Sequence, residues 1–315
     1  MVPQDAAGRT QRAGERFFKT FGWQGISLTV PENWELVFTQ GSYQSGYVRL
    51  ADEESVRMEV RWQAARGPGT PADAVDAHLA RLKKDARKKG STFDVQRDLN
   101  LASPAGKTAE CYRWTADNQA LAMVSRCSAC NRIVHVQLLG EPHEGLKALA
   151  RTVFGSLRDH PEDGVLAWDF FDLRFRSPAA LPLFKSSLQT GCIRMTFSRR
   201  LTRLEFVRLS LAQVLLAGKP LRGWFDGFYA LPMKRRSYRL KEARIKGHPG
   251  VELEGRPWLF CDPLRLAGRP RVTRAACWHC EETNRILICG FDGPASAAAA
   301  MFEPAVQSFT CCGEA

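Results

Sequence analysis

No apolar run in this chain approaches the roughly 20 residues that a helix needs to span a bilayer. The nearest, Leu209 to Gly218, is interrupted by Ser210 and Gln213. Met1 to Lys19 carries Arg9, Arg12, Arg16 and Lys19 but lacks the hydrophobic stretch of a secretory signal. With export unsupported, the ten cysteines read as reduced thiols or metal ligands, not as a disulfide framework, and cytoplasm is the expected compartment. A Walker loop, a dinucleotide glycine fingerprint, a Gly-x-Ser-x-Gly elbow and a His-Glu-x-x-His helix are also missing. Neither Cys-x-x-Cys pair is followed by histidine, so covalent haem attachment has no support. These absences leave no convincing enzyme site.

What is present is present twice. Gly46-Tyr47-Val48-Arg49-Leu50 returns as Gly191-Cys192-Ile193-Arg194-Met195, and Arg57-Met58-Glu59 as Arg203-Leu204-Glu205. Asn131-Arg132-Ile133-Val134 returns as Asn284-Arg285-Ile286-Leu287, each copy preceded by a cysteine pair, Cys127/Cys130 and Cys277/Cys280. Order is kept while spacing drifts, which implies duplication of a whole domain, not a short solenoid period. A length of 315 residues fits two domains, each able to bury a core without staples. The expected division is an N-terminal arm at 1–17, a first domain at 18–160 and a second at 166–312.

Periodicity supplies the elements. Ile26 to Val30 alternates as a half-buried strand ended by Pro31, and Val56, Met58, Val60 and Trp62 share one strand face opposite Arg57, Glu59 and Arg61. Pro71 to Lys89 reads as a helix, with Val75, Leu79 and Leu82 at helical spacing, a basic last turn and Gly90 as its cap. Strands follow up to Leu139, and a helix over Gly145 to Leu157 closes the half. The second half repeats this order, with helices expected around Ala212 to Tyr229 and Ala295 to Phe309. Runs of strands interrupted by single helices predict α+β architecture with antiparallel sheets.

The strand followed by Val30-Pro31-Glu32-Asn33-Trp34, a hairpin, a helix, antiparallel strands and a closing helix resembles the Mog/PsbP-like fold. That group includes the photosystem PsbP subunit, DcrB-type bacterial proteins and related secretion-system chaperones. The second half has Ser177-Pro178 without a matching tryptophan. The resemblance implies two tandem PsbP-like domains acting non-catalytically, as an assembly factor, a chaperone or a subunit bound to another protein or complex. It carries over no catalytic residue.

Two features invite chemistry. If both Cys-x-x-Cys pairs sit at hairpin tips, a turn brings their thiols together, and Cys127, Cys130, Cys277 and Cys280 would make a closed tetrahedral zinc site. The plainer reading is four buried cysteines, and the rival one is a thiol/redox or metal-dependent enzyme using Cys277 and Cys280. The second feature is charge. Between Arg194 and Lys246, 14 basic residues face only Glu205, Asp226 and Glu242. If Arg199, Arg200, Arg203, Lys234, Arg235 and Arg236 share a face, they would bind polyanions non-specifically and with strong salt dependence. The alternative is an ordinary solvated basic face.

Overall fold

The computed structural model describes residues 17–65, 67, 69–102, 104–161, 163–229, 233–234, 236–257 and 270–312. The arm expected at 1–17 lies outside these residues save Phe17, and so does Arg235. The chain divides into two units. The first comprises residues up to Phe21, Ser27–Thr39 and Tyr47–Leu157; the second comprises Gly22–Ile26, Gln40–Gly46 and residues from Arg158 onward. Two short pieces of the first half of the sequence thus group with the second unit.

After β1 (Phe18–Trp23) and β2 (Ile26–Pro31) come β3 (Glu35–Gly41), β4 (Ser45–Ala51) and β5 (Val56–Ala64). Then follow α1 (Pro71–Lys89), β6 (Asp94–Gln96), β7 (Lys107–Thr115), β8 (Gln119–Cys127), β9 (Arg132–Gly140) and α2 (Lys147–Gly155). Seven of these strands, all but β1 and β2, form a sheet in the order β3-β4-β5-β9-β8-β7-β6. Sequence alternation decides its faces. Met58, Val60 and Trp62 are buried, while on the other face of β5 Arg57 pairs with Asp52 and Glu144, and Glu59 with Arg49.

The helix α1 lies on one face of this sheet, burying Val75 against Tyr112, Ala122 and Val124. The buried residues of α2 are Leu149, Ala150, Val153 and Phe154. The ends of α1 are built as its sequence requires. Thr70 Oγ1 accepts from the Asp73 N–H at 3.3 Å, and Asp73 Oδ2 accepts from the Thr70 N–H at 2.7 Å, a reciprocal capping box. Gly90 takes the left-handed conformation that ends the helix (φ 72°). Thr70→Ala is expected to cost about 1 kcal/mol, read as a lower urea midpoint with unchanged slope.

The second half runs β10 (Val165–Phe170), β11 (Leu173–Pro178), β12 (Leu183–Gln189), β13 (Cys192–Arg199) and β14 (Thr202–Ser210). It continues with α3 (Ala212–Leu216), α4 (Leu221–Tyr229), β15 (Arg236–Ile245), β16 (His248–Pro257), β17 (Arg271–Cys280), β18 (Arg285–Pro294) and α5 (Ala295–Ser308). Its seven-stranded sheet has the order β12-β13-β14-β18-β17-β16-β15, with β12 and β15 at the ends. Strand for strand, this is the order of the first sheet. Its ladders are antiparallel, so the α+β architecture expected from the sequence is the one observed.

Both faces of this sheet are covered. On one, Phe175, Phe197, Phe206, Trp278 and Phe309 form an aromatic core, and α5 packs against β17, β18 and β11. On the other, Val207, Leu209, Val251, Leu253, Ala275, Ile286 and Ile288 meet Leu216, Phe225 and Tyr229 of α3 and α4. The single helix expected over Ala212 to Tyr229 is in fact two. Ala217 and Gly218 adopt left-handed conformations (φ 47° and 77°), which end α3, and α4 starts directly after Pro220, whose carbonyl accepts from the Trp224 N–H at 3.1 Å.

Candidate functional site

The α4 face of the second sheet changes character along its length. Followed on that face, β14 runs Leu209, Val207, Glu205, Arg203; β18 runs Ile286, Ile288, Gly290, Asp292; β17 runs Cys277, Ala275, Thr273, Arg271. Because side chains alternate with period two, these rows lie side by side. Apolar residues fill the part beneath α4, and charged residues fill the part beyond it. The changeover falls at Gly290, where an added Cβ would stand 2.7 Å from Tyr229 Oη. Burial pushes the Tyr229 phenol well above its usual pKa, with Glu205 adding to the effect, so the hydroxyl stays protonated.

The charged part opens as a cleft of about 610 Å³ lined by six arginines, Arg194, Arg200, Arg203, Arg236, Arg271 and Arg274. They share three carboxylates. Glu205 meets Arg203 at 3.0 Å and Arg194 at 3.5 Å, Asp292 meets Arg236 at 2.7 Å and also Arg271, and Glu303 meets Arg274 at 2.6 Å. Asp292 also accepts from Thr273 Oγ1 at 2.8 Å. The Arg194 guanidinium lies 5.5 Å from the Phe228 ring centroid, a cation–π contact. A positive surplus remains, and it is positioned by side-chain contacts. Arg203 keeps 55% of its side chain exposed.

Of the basic residues singled out in the sequence, Arg200, Arg203 and Arg236 line this cleft. Arg199 is exposed and donates to the Ala180 carbonyl at 3.4 Å, and Lys234 is exposed in the turn after α4. Arg235 lies outside the described residues. Sequence reasoning missed Arg271, Arg274 and Asp292, because they follow the basic segment by some 25 residues or more and reach the cleft only through strand pairing. The available signal was strand parity. Arg271 and Thr273 alternate with the same register that buries Ala275 and Cys277.

The cysteines require a correction. Cys127 ends β8 and Cys130 lies in the turn before Asn131, whose left-handed φ of 53° is the one expected for that position. Cys277 and Cys280, by contrast, are both in β17, whose ladder with β18 continues to Cys280 opposite Arg285. The hairpin tip is made by Glu281 to Asn284 instead. Residues three apart on a strand point to opposite faces. Cys277 is sealed in the core beneath α4, where burial pushes its thiol far above the usual pKa. Cys280 is buried on the α5 face, with His248, Cys311 and Cys312 around it. A site needing both Cys277 and Cys280 is therefore not built, neither as the four-thiolate zinc centre nor as a redox dithiol.

Burial disfavours the Cys280 thiolate, yet hydrogen bonds from Thr283, Cys312 and Cys311 outweigh it and hold the thiol below its usual pKa. Elsewhere burial dominates, and Cys111 is pushed up to about 11.

No protein-family model matches this chain, and no curated protein matches it. Among solved structures it is similar to cyanobacterial PsbP (CyanoP) from Synechocystis sp. PCC 6803, at 15% identity and a TM-score of 0.34, over 48% of this chain and 97% of that one. It is also similar to the immunity protein TplEi of the T6SS from Pseudomonas aeruginosa. The complex with "L" peptide gives 13% identity and a TM-score of 0.33, over 93% of this chain and 97% of that one. The apo form gives 10% and 0.34, over 93% and 96%. A PsbP structure is thus among those this chain is similar to. Among the described residues, no helix is long and apolar enough to cross a membrane.

Proposed function

We propose that this chain is a binding protein built from two copies of one α+β domain, and that its second unit grips an acidic segment of a protein partner in the arginine-lined cleft. The observation that carries this reading is the surplus of guanidinium groups, six against three carboxylates, around a single cleft. Guanidinium forks suit carboxylates because two parallel N–H donors match two oxygens. The lining of the cleft sets Leu201, Phe228, Tyr229 and Met233 beside the charges, apolar surface that can cover the stems of peptide side chains. The matching strand orders of the two sheets support duplication, with the cleft as a specialisation of the second copy. A reducing compartment such as cytoplasm suits the thiols, since none of the nine described cysteines forms a disulfide.

The test is fluorescence anisotropy of a labelled oligoglutamate peptide against the full chain, with heparin as a comparison polyanion. Arg200→Glu with Arg203→Glu is expected to weaken peptide binding at least tenfold, which corresponds to about 1.4 kcal/mol. Lys83→Ala with Lys84→Ala on α1 serves as the control and should change little. Equal loss in both variants, or heparin binding strongly while the peptide does not, would replace this reading with non-specific polyanion attraction. An affinity insensitive to salt would remove the electrostatic account altogether.

A further inference from the structure

The sulfur atoms of Cys280, Cys311 and Cys312 and one imidazole nitrogen of His248 lie within 4.8 Å of one another. Three separate segments deliver them. His248 opens β16 after a two-residue turn, Lys246-Gly247, in which both residues are left-handed (φ 49° and 83°). Cys280 closes β17. The β16–β17 register pairs Gly250 with Trp278, and continuing it by two residues sets His248 opposite Cys280 on the same sheet face. Cys311 and Cys312 follow α5, and that segment is held in place from two sides. Thr310 N–H donates to the Arg174 carbonyl at 2.9 Å, and Lys246 Nζ donates to the carbonyls of Gln307 at 3.0 Å and Phe309 at 3.3 Å.

The spacing is that of a coordination shell. His248 Nε2 is 3.3 Å from both Cys311 Sγ and Cys312 Sγ, and the two sulfurs are 3.8 Å apart. Zinc–sulfur bonds of about 2.3 Å and zinc–nitrogen bonds of about 2.0 Å at tetrahedral angles require edges of roughly 3.8 Å and 3.5 Å. A sulfur pair at 3.8 Å is also far from the bonding distance of a disulfide, about 2.05 Å. Cys280 is fully buried while the other three remain partly open, which leaves an entry path.

We propose that His248, Cys280, Cys311 and Cys312 form a closed Cys₃His site that binds one Zn²⁺ per chain. Thiolate and imidazole donors in tetrahedral array suit zinc, and four protein ligands leave no open position, so the ion is structural. It would tie the segment after α5 to the ends of β16 and β17. Binding replaces thiol protons by metal, so zinc uptake releases protons. The site owes nothing to Cys277, and it stands or falls independently of the arginine cleft.

The experiment uses the full chain, purified without an affinity metal, reduced, and titrated with Zn²⁺ and separately with Co²⁺. Elemental analysis is expected to find about one zinc per chain, and Co²⁺ to give the visible absorption of a tetrahedral thiolate complex. Zinc should also shield thiols from a thiol reagent. Cys311→Ser with Cys312→Ser, or His248→Ala, should abolish the cobalt spectrum, whereas Cys127→Ser with Cys130→Ser should leave it intact. Failure of the native chain to bind either ion, a Cys311–Cys312 disulfide that resists reduction, or a cobalt spectrum surviving loss of Cys311 and Cys312 would each overturn the proposal. The native-chain titration decides even if a variant fails to fold.

Discussion

Phe206→Ala is expected to lower the stability of the second unit by about 3–5 kcal/mol, the usual range for emptying a buried phenylalanine site. Phe206 is completely buried in β14, at the centre of the aromatic face. Its ring stacks on Phe175 with centroids 4.0 Å apart, and it meets Phe309 edge-on at 5.4 Å and Phe197 at 6.0 Å. These neighbours come from β11, β13 and the segment after α5, so the cavity would be walled by separate elements held in place by other contacts. Such walls collapse poorly, which places the cost toward the upper part of the range. Phe184→Ala on β12 provides the comparison, because that ring is 75% exposed and its loss should stay within about 0.5 kcal/mol. Thermal and urea unfolding of both variants would measure the contrast. Equal losses would mean that the aromatic face does not hold the unit together.

Acidification should destabilise the first unit well before its carboxylates titrate. His135 on β9 and His78 on α1 meet edge-on with ring centroids 4.6 Å apart. Burial lowers the pKa of His135 well below the usual value, and His78, Arg61 and Arg81 reinforce the effect. Burial also lowers that of His78, with Gln137 opposing and Arg81 and Arg61 assisting. The neutral tautomers are accounted for. His135 Nε2 lies 2.8 Å from Tyr112 Oη, whose raised pKa keeps it a donor, and His78 Nε2 lies 3.1 Å from Gln137 Oε1.

Since both folded-state values are depressed, the unfolded chain binds more protons than the folded one once pH falls below about 6.5. Stability is therefore fully present above that pH and falls on acidification, by about 1.4 kcal/mol per pH unit for each histidine until its folded-state pKa is reached. Urea unfolding followed between about pH 7.5 and pH 5.5 should show this slope, and His135→Gln should flatten it. A native chain whose midpoint is level over that window would contradict the burial account.

Much of the architecture could be read from the chain because its elements carry local signals. Pro71, the basic turn and Gly90 bracket α1 at the residues observed, and the alternation in β5 names its buried face. The strands β1, β3, β10 and β12 were not legible. In β3, Val37 and Phe38 are exposed, and β12 exposes Phe184, so their hydrophobic residues do not mark an inward face. The site was legible in part. A dense run of positive charge pointed to Arg200, Arg203 and Arg236, but not to Arg271 and Arg274, which only the sheet brings alongside.

The cysteine reading failed for a related reason. Spacing of i and i+3 means proximity in a turn and opposition in a strand, and the three extra residues Glu281 to Thr283 lengthened the hairpin so that Cys280 stayed within β17. The partners that Cys280 does have come from 30 residues downstream and from the other side of a ladder. No local pattern announces them.

The strand order of the second sheet has a bearing on self-association. Among the described residues β15 is an end strand and carries Arg239, Lys241 and Arg244 with Glu242 between them, and β12 at the other end sets Lys185 beside the exposed Phe184. A second molecule adding edge-on to β15 would bring these cations against their own counterparts, and like charges across a ladder repel. Concentrated solutions at low ionic strength should thus resist fibre-like polymerisation through this edge, and added salt should weaken that protection.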